Sequence, residues 1–337
     1  MRIICIGSSA KDVFYPTEKG EIFDTPEDLK SQQKFIFELG AKYQIEDRYE
    51  SIGGCAVNVA VGLSRLGIKT YCYTKVGKDN LGKWIIEELK HEGVDDKFVE
   101  IEKDCKSDLS AIIVDKKSRE HTIFFNRDAN ERLEIFAKKL KKADWIFVSA
   151  LNSSEFVKWE ENLEKIVEAC REKGIKLAFN PGQANIKENC GKVLEAIKQS
   201  QILMLNKDEA IEILSQEENK YSAENLNDEM FLLKNLKAMG PGIVTLTDGA
   251  RGAWLFDGKI SLYTQTIGKN PVETTGAGDA FSSGFLAAHI KGKNPEECLK
   301  WGIANSGNSL DFYGATQGLL REEEMLEKIK EVEVKKI

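Results

Sequence analysis

Short apolar runs alternate with amphipathic stretches along most of the 337-residue chain. The apolar runs have the length of buried strands, and the stretches between them repeat apolar residues with helical spacing. Asp79 before one helical stretch and Gly67 after another are typical boundary residues. The predicted strands are 2–7, 69–77, 145–149, 175–180, 201–205, 243–247 and 253–256. The predicted helices are 55–67, 79–93, 155–173, 188–199, 207–214, 227–239, 279–291, 295–310 and 321–331.

Strands that are apolar throughout and alternate with helices are typical of a mostly parallel sheet covered on both faces. Segments 13–52 and 107–127 interrupt this alternation. The first is polar and turn-rich, and the second has two β-type runs around the hairpin turn "DKKSRE". They predict a small separate sheet that acts as a lid over a cleft, and an edge extension of the main sheet is the alternative. The charged tail 322–337 is predicted to be a solvated amphipathic helix with a frayed end.

Composition narrows the classes of function. A net charge of −7 and a pI near 5.4 argue against a nucleic-acid partner, and no apolar run is long enough to span a bilayer. The first residues are typical of a strand rather than a signal peptide. Seven scattered cysteines without a C-x-x-C pair indicate reduced thiols in a cytoplasmic protein. The three histidines lack the spacing of a zinc site.

The stretch "VETTGAGDAFSSGF" (272–285) carries the clearest chemistry. Gly276, Ala277 and Gly278 form a loop before a helix, and such a loop can hold an anion with its backbone N–H groups. Asp279 follows directly. A carboxylate beside an anion site repels phosphate, so its useful role is to take a proton from an attacking hydroxyl. The alternative is an ordinary helix cap.

A second glycine pair, Gly53-Gly54, precedes a helix that has Asn58 one turn in. The glycines permit close approach of a ligand, and Asn58 can hydrogen-bond hydroxyls. Asp12 follows the first strand and is placed where open α/β sheets bind ligands. A tight turn, a helix Asn and a turn Asp are the structural alternatives.

Taken together, these motifs resemble the PfkB/ribokinase family of carbohydrate and nucleoside kinases. The resemblance rests on "GGCAVNVAVGLSRLG" (53–67), "VGKDNLG" (76–82), "NKDEA" (206–210), "TDGARGAW" (247–254) and "TTGAGDAFSSGF" (274–285), and it covers roughly residues 1–320. It implies a ribokinase-like three-layer α/β/α sandwich with a small β-sheet lid, in one catalytic domain over 1–337. The expected reaction is ATP-dependent phosphorylation of a hydroxymethyl group.

The resemblance also implies roles for individual residues. Asp279 would be the catalytic base, and Gly276, Ala277 and Gly278 would hold the transferred phosphoryl group. Glu209 would orient Mg²⁺ through water, although Asn206 and Glu209 also fit a capping box. Glu273 stands where many members have Asp near a monovalent cation, so activation by K⁺ is an open question. The residues implied to bind ATP are Asn206, Glu209, Thr247, Gly249, Gly252 and Asn305. The residues implied to bind substrate are Asp12, Gly53, Gly54, Asn58 and Arg127.

The substrate is the least determined part. Arg127 in "FFNRDAN" (124–130) either reaches a sugar oxygen or caps the hairpin, and "FNPGQ" (179–183) resembles some nucleoside kinases but also fits a plain β-turn. Because no base-stacking aromatic residue can be assigned, a sugar is preferred. A nucleoside kinase and a non-catalytic sugar-binding relative are the alternatives. A dehydrogenase or P-loop kinase would need G-x-G-x-x-G or G-x-x-x-x-G-K-[ST], which the expected positions lack. Exposed lid edges favour a homodimer.

Overall fold

The computed structural model describes residues 1–27, 33–155, 157–216, 220–268 and 271–337. The strands within this part are β1 (Arg2–Ile6), β2 (Ala10–Thr17), β3 (Glu21–Asp24), β4 (Gln33–Ile36), β5 (Tyr49–Gly53), β6 (Lys69–Tyr73), β7 (Lys75–Gly77), β8 (Glu100–Glu102), β9 (Leu109–Asp115), β10 (His121–Asn126), β11 (Trp145–Ser149), β12 (Lys176–Asn180), β13 (Ile202–Asn206), β14 (Ile243–Thr247), β15 (Ala253–Phe256), β16 (Ser261–Thr264) and β17 (Val334–Lys336).

The α-helices of the same part are α1 (Cys55–Arg65), α2 (Asn80–His91), α3 (Ala137–Leu140), α4 (Trp159–Lys173), α5 (Gln183–Gln199), α6 (Lys207–Leu214), α7 (Ala223–Asn227), α8 (Glu229–Ala238), α9 (Ala277–Ile290), α10 (Pro295–Ser309) and α11 (Glu322–Lys328). Residues 28–32 of the predicted segment 13–52 and residue 156 of the predicted helix 155–173 lie outside the described residues.

The large sheet of the described part has nine strands in the order β17-β16-β15-β14-β13-β12-β11-β1-β6. The strands from β6 to β14 in this order are parallel, and β14 to β17 pair antiparallel. Successive residues of β1 face opposite layers: Ile3 and Cys5 pack with α1, α9 and α10, whereas Ile4 and Ile6 pack with α4, α5 and α8. This alternation, with both faces apolar, produces the predicted α/β/α sandwich.

A second sheet, with the order β10-β9-β2-β5, is separate from the large one and is called the small sheet below. Phe14, Ile112 and Val114 form its own apolar cluster, against which Tyr313 packs. The predicted hairpin is confirmed, because β9 and β10 pair antiparallel around residues 116–120. The predicted separate sheet is therefore confirmed and the alternative, an edge extension of the main sheet, is wrong, although the small sheet begins at Ala10, earlier than predicted.

Several predicted boundaries need correction. Strand 69–77 divides into β6 and β7, helix 227–239 is α8 with the short helix α7 before it, and helix 155–173 begins at Trp159. The helix predicted at 188–199 begins at Gln183, and Asn189 interrupts it with non-helical angles (φ −154°, ψ 78°). The tail is helical over α11 and a 3-10 turn at Ile329–Glu331, and Val334–Lys336 pair with β16 as a strand instead of fraying.

The seven cysteines are free thiols. Cys5, Cys72 and Cys298 are buried in the layer of α1, α9 and α10, and Cys170 and Cys190 are buried in the opposite layer. Burial raises the pKa of Cys72 and of Cys170 to about 12 in each case. These thiols are therefore protonated core side chains at neutral pH.

Candidate active site

Helix α9 begins behind the glycine loop that the sequence highlights. Gly276 is the N-cap residue and has a left-handed backbone (φ 80°), and a Cβ atom there would lie 2.3 Å from Cβ of Ala315. At Gly278, by contrast, a Cβ atom would meet no described heavy atom within 4 Å outside its neighbours and the helix backbone. The N–H of Ala277 donates to the carbonyl of Thr274 at 3.3 Å, and the N–H groups of Gly278 and Asp279 have no acceptor within the helix, which is the arrangement of an anion site.

Asp279 is the third residue of α9, so it is not the cap of the helix. Its Oδ2 accepts a hydrogen bond of 2.8 Å from Nδ2 of Asn58 on α1. Burial, together with the charges of Glu209 and Asp12, raises the pKa of the Asp279 carboxyl to about 7 even though the bond from Asn58 opposes the rise. A carboxyl group with this pKa exchanges a proton near neutral pH, as a general base must.

Asn58 is only 4% exposed, and its Oδ1 has no hydrogen-bond partner among the described residues. Buried side-chain oxygens are normally satisfied. Because its amide nitrogen is used by Asp279, the free oxygen is available to accept from a hydroxyl group beside the base.

The pair Gly53-Gly54 lies between β5 and α1 and is shaped by its neighbours. A Cβ atom at Gly53 would lie 1.8 Å from Oδ2 of Asp12, and one at Gly54 (φ 96°) would lie 2.5 Å from the carbonyl oxygen of Ser8. Asp12 lies in β2, opposite Ser51 and Ser110 on the neighbouring strands, rather than in a turn. Burial raises its pKa, whereas a hydrogen bond with Ser110 and the charge of Arg127 lower it.

Arg127 follows β10 at the base of the small sheet. It donates from one terminal nitrogen to Oγ of Ser110 at 3.1 Å and from the other to the carbonyl of Asn126 at 3.1 Å. Its guanidinium group lies 4.8 Å from the centre of the Phe125 ring. Arg127 therefore lies beside Ser110, which is also the neighbour of Asp12 across the strands.

On the other side of Asp279 is a cavity of about 110 Å³ at the carboxyl ends of β12, β13 and β14. It is lined by Asn180, Met204, Leu205, Asn206, Glu209, Thr245, Thr247, Gly278, Asp279, Phe281 and Ser282. A cavity at this edge of a parallel sheet, beside a helix N-terminus, is suited to a phosphorylated ligand.

Asn206 and Glu209 form the predicted capping box at the start of α6. Oδ1 of Asn206 accepts from N of Glu209 at 2.8 Å, and Oε2 of Glu209 accepts from N of Asn206 at 3.0 Å. Both residues also line the cavity, so the box fixes their direction there, and the Glu209 carboxyl has a further hydrogen bond with Asn180. Burial raises the pKa of Glu209.

The turn after β14 carries the remaining glycines. Gly249 (φ 45°) would place a Cβ atom in open space, whereas a Cβ atom at Gly252 (φ 98°) would lie 2.0 Å from the carbonyl oxygen of Thr264. The turn therefore requires glycine at Gly252, whereas the missing side chain of Gly249 faces open space. Thr247 lies at the end of β14 in the wall of the cavity.

Comparison with known proteins fits this geometry. The family model described as pfkB family carbohydrate kinase matches residues 28–319. The chain belongs to the PfkB family of carbohydrate kinases. An uncharacterized sugar kinase of Archaeoglobus fulgidus is 31% identical over 264 residues, which are 77% of this chain and 99% of that protein. An ATP-dependent 6-phosphofructokinase of Thermoanaerobacterium thermosaccharolyticum is 26% identical over 82% of this chain and 84% of its own length.

Solved structures show the same fold. The nucleoside kinase of Methanocaldococcus jannaschii, an archaeal member of the ribokinase family, has a TM-score of 0.72 at 21% identity and 98% coverage of both chains. Arabidopsis thaliana ribokinase, solved with ribose and ATP, has a TM-score of 0.74 at 19% identity and 98% coverage of both chains. This PfkB chain is thus a kinase of the sugar and nucleoside kinase family, with a ribokinase-like fold.

Glu273 lies at the start of the glycine loop of this PfkB protein and is 2% exposed. Its Oε1 accepts from N and Oγ1 of Thr275, at 2.8 and 2.6 Å, and lies 3.4 Å from Nδ1 of His121 on β10. Its Oε2 has no partner among the described residues. The carboxylate therefore holds the loop and keeps one buried oxygen available to a cation.

The resemblance implies that Asn305 binds ATP, but the structure places its side chain elsewhere. It is 0% exposed on α10, and its amide group donates to the carbonyl of Ala280 and to Oγ of Ser283, at 2.9 and 3.0 Å. Its Oδ1 accepts from N of Leu320 at 2.9 Å. The side chain joins α9, α10 and the following loop, so no part of it is presented to the cavity.

Asn180 and Thr245 are site residues that sequence reasoning did not assign. Asn180 donates to the carbonyl of Met204 at 2.8 Å and accepts from Oγ of Ser149 at 3.0 Å, which fixes it in the cavity wall. Thr245 has a buried hydroxyl with no partner among the described residues. The stretch "FNPGQ" was the available signal for Asn180, but a β-turn explained it equally well.

The described residues contain no helix that is both long and apolar enough to cross a membrane. They also contain no group of three or more His, Cys, Asp or Glu side chains arranged to hold a metal ion.

Proposed function

We propose that this PfkB protein transfers the terminal phosphoryl group of ATP to the hydroxymethyl group of a sugar. One observation carries the proposal: Asp279, with its pKa raised to about 7, lies between the open N-terminus of α9 and the unsatisfied oxygen of Asn58. This arrangement supports the proposal, because it would bring a base, an anion site and a hydroxyl acceptor side by side.

In the proposed reaction, Asp279 accepts the proton of the substrate hydroxyl while that oxygen forms a bond to the terminal phosphorus. The bond between this phosphorus and the bridging oxygen breaks, and ADP leaves. The backbone N–H groups of Gly276, Ala277 and Gly278 would face the transferred group as its charge spreads, with that of Ala277 released from its 3.3 Å bond to the carbonyl of Thr274. Asp12 and Asn58 orient the hydroxyls, Gly53 and Gly54 allow the sugar to approach, and Arg127 reaches an outer oxygen.

The cavity beyond Asp279 fits the phosphates of a nucleotide. Asn206, Glu209, Thr247 and Gly249 would surround them, and Gly252 holds the turn. Mg²⁺, when bound with the nucleotide, would neutralise phosphate charge and keep several waters. Glu209 and Asn180 present oxygens in the cavity that suit hydrogen bonds to such waters. Glu273, with its free buried oxygen, is the candidate for a monovalent cation such as K⁺.

The experiment is a coupled assay of ADP release with ATP and Mg²⁺ over pentoses, ketohexoses, sugar acids, phosphosugars and nucleosides, with Asp279→Asn as the inactive comparison. We expect turnover with at least one sugar and almost none in the variant. Turnover confined to nucleosides would favour the alternative acceptor. An unchanged rate in Asp279→Asn would refute the assignment of the base, and sugar binding by calorimetry without product would favour a non-catalytic relative.

We also propose that the small sheet is a lid and that two copies pair through it in a cytoplasmic homodimer. The edge strand β10 exposes Ile123, Phe124 and Phe125, and exposed edges of this kind are commonly covered. Phe124 is 64% exposed, so Phe124→Lys would weaken the pairing without disturbing the core. A wild-type protein that sediments as a monomer at high concentration would refute the dimer.

A further inference from the structure

The small sheet joins the large one through a group of buried polar side chains that the proposed chemistry does not use. Ser9, Thr74, Asp108 and Asn130 are each between 0% and 2% exposed. Ser9, Asp108 and Asn130 lie where the chain enters β2, enters β9 and leaves β10, and Thr74 follows β6. These three crossings are called the entry of β2 (8–11), the entry of β9 (107–109) and the exit of β10 (126–130).

Hydrogen bonds tie every pair of crossings. N of Lys11 donates to the carbonyl of Asp108 at 3.0 Å, which joins the entries of β2 and β9. The Asp108 carboxylate accepts from N of Ala129 at 3.0 Å and from the amide group of Asn130, which joins the entry of β9 to the exit of β10. Asn130 in turn donates to the carbonyl of Ser9 at 3.0 Å and accepts from N of Ser9 at 3.3 Å.

Thr74, which follows β6, connects this closed set of bonds to the large sheet. Its hydroxyl is 2.9 Å from Oγ of Ser9 and 3.3 Å from Oδ1 of Asn130. The hydrogen-bonded set is therefore attached to the large sheet through Thr74 and to the small sheet through the three crossings. Satisfied buried networks of this kind specify one arrangement of the segments they join.

The two charged residues of the candidate substrate side flank this set. Asp12 follows Lys11, and Arg127 lies in the exit of β10 two residues before Ala129. Both also meet at Ser110, which is bonded to Arg127 and to Asp12. A shift of the entry of β2 or of the exit of β10 would therefore move the Asp12 carboxylate and the Arg127 guanidinium group relative to each other.

Burying a carboxylate costs free energy unless hydrogen bonds or an opposite charge compensate for the lost water. Burial raises the pKa of Asp108 to about 7, although the bonds from Ala129 and Asn130 and the charge of Arg127 oppose this. An uncharged residue of the same shape cannot replace it, because both of its oxygens accept from N–H groups, and an amide would place N–H against N–H on one side.

We propose that Asp108 and Asn130 are positioning residues that fix Asp12 and Arg127 for substrate binding and hold the small sheet at its base. Asp108 and Asn130 do not touch the transferred group. Their role in substrate binding rests on the proposed kinase function, whereas their role at the base of the small sheet does not.

The first test measures hydrogen–deuterium exchange without ligand in the full chain, for wild type, Asp108→Asn and Asp115→Asn. Asp115 is the matched control, because it is a buried aspartate at the far end of β9 whose carboxylate accepts from N of Ser118 at 2.7 Å. We expect faster exchange at all three crossings in Asp108→Asn, and only near residues 115–120 in the control. Unchanged exchange at the crossings would overturn the proposal, whether or not the protein is a kinase.

The second test uses the compound that supports turnover in the acceptor panel. Asp108→Asn should raise KM about tenfold or more, as expected for a lost bond to a charged group, while kcat stays within about twofold. A fall in kcat with constant KM would refute the positioning role.

If Asp108→Asn does not fold, Thr74→Val removes the hydroxyl anchor without changing charge, and the same shift in KM should appear with smaller size. Wild type that shows no turnover with any compound would defeat the kinase function alone, and the exchange experiment would still decide the structural role.

Discussion

The hydrogen bond from Asn58 to Asp279 is the most direct control on the proposed base. Asn58→Leu removes the 2.8 Å bond and, being similar in size, leaves little room for a replacing water. A bond to a charged group is worth about 1.5–3 kcal/mol, and about 1.4 kcal/mol corresponds to one pKa unit. Because Asp279 is partly exposed, we take the lower end and expect its pKa to rise from about 7 by about one unit.

The sign follows from the role of a base. Only the deprotonated carboxylate accepts the proton, so kcat/KM should rise with pH through the pKa of Asp279, and Asn58→Leu should move that rise to higher pH. The assay is the pH dependence of kcat/KM with the active acceptor. The pH at which kcat/KM rises is the readout rather than its maximal value, because Asn58 is also a candidate substrate ligand. Ser283→Ala, on the same helix and not bonded to Asp279, is the control and should leave the position unchanged. A rise that stays in place or moves to lower pH in Asn58→Leu would refute the reasoning.

Three further variants test the site. The raised pKa of Asp279 means that the folded state binds the proton more tightly than the unfolded state, so the free energy of unfolding falls as pH rises from about 4 to about 7. Asp279→Asn should remove this loss, so its free energy of unfolding in urea should exceed that of wild type by about 1–3 kcal/mol above pH 7 and match it at pH 4. Gly276→Ala, at φ 80° and 2.3 Å from Cβ of Ala315, should lose about 2 kcal/mol or more and nearly all turnover, whereas Gly278→Ala should keep its melting temperature. Gly53→Ala would push against Oδ2 of Asp12 and should raise KM, while Gly191→Ala, whose nearest contact would be 3.5 Å, should change neither KM nor stability; an unchanged KM in Gly53→Ala would remove Asp12 from the substrate side.

Local signals predicted much of the fold. Asp79 caps α2 through a bond from N of Gly82, and Gly67 follows α1 with φ 77°, as their sequence positions indicate. Tertiary contacts decided what local signals could not. The strand β17 exists because Val334–Lys336 find the free edge of β16, and nothing within the charged tail specifies that partner.

The same division applies to the candidate site. Gly276, Gly278 and Asp279 are adjacent in sequence, and their geometry follows from the start of one helix. Asn305 was assigned wrongly because its fit to a packed gap between α9 and α10 depends on residues far away in sequence, Ala280 and Leu320. Asp108 was not noticed at all, since its meaning depends on bonds to Ala129, Asn130 and Lys11 that form only when the two sheets meet.

The buried cysteines have a practical consequence for studies of unfolding. Cys72 and Cys298 report on one helical layer and Cys170 and Cys190 on the other, and a thiol reagent can reach any of them only after that layer opens. Brief labelling in rising denaturant, followed by peptide mass spectrometry, would therefore show whether the two faces of the large sheet separate together or one after the other, without adding any probe to the natural chain.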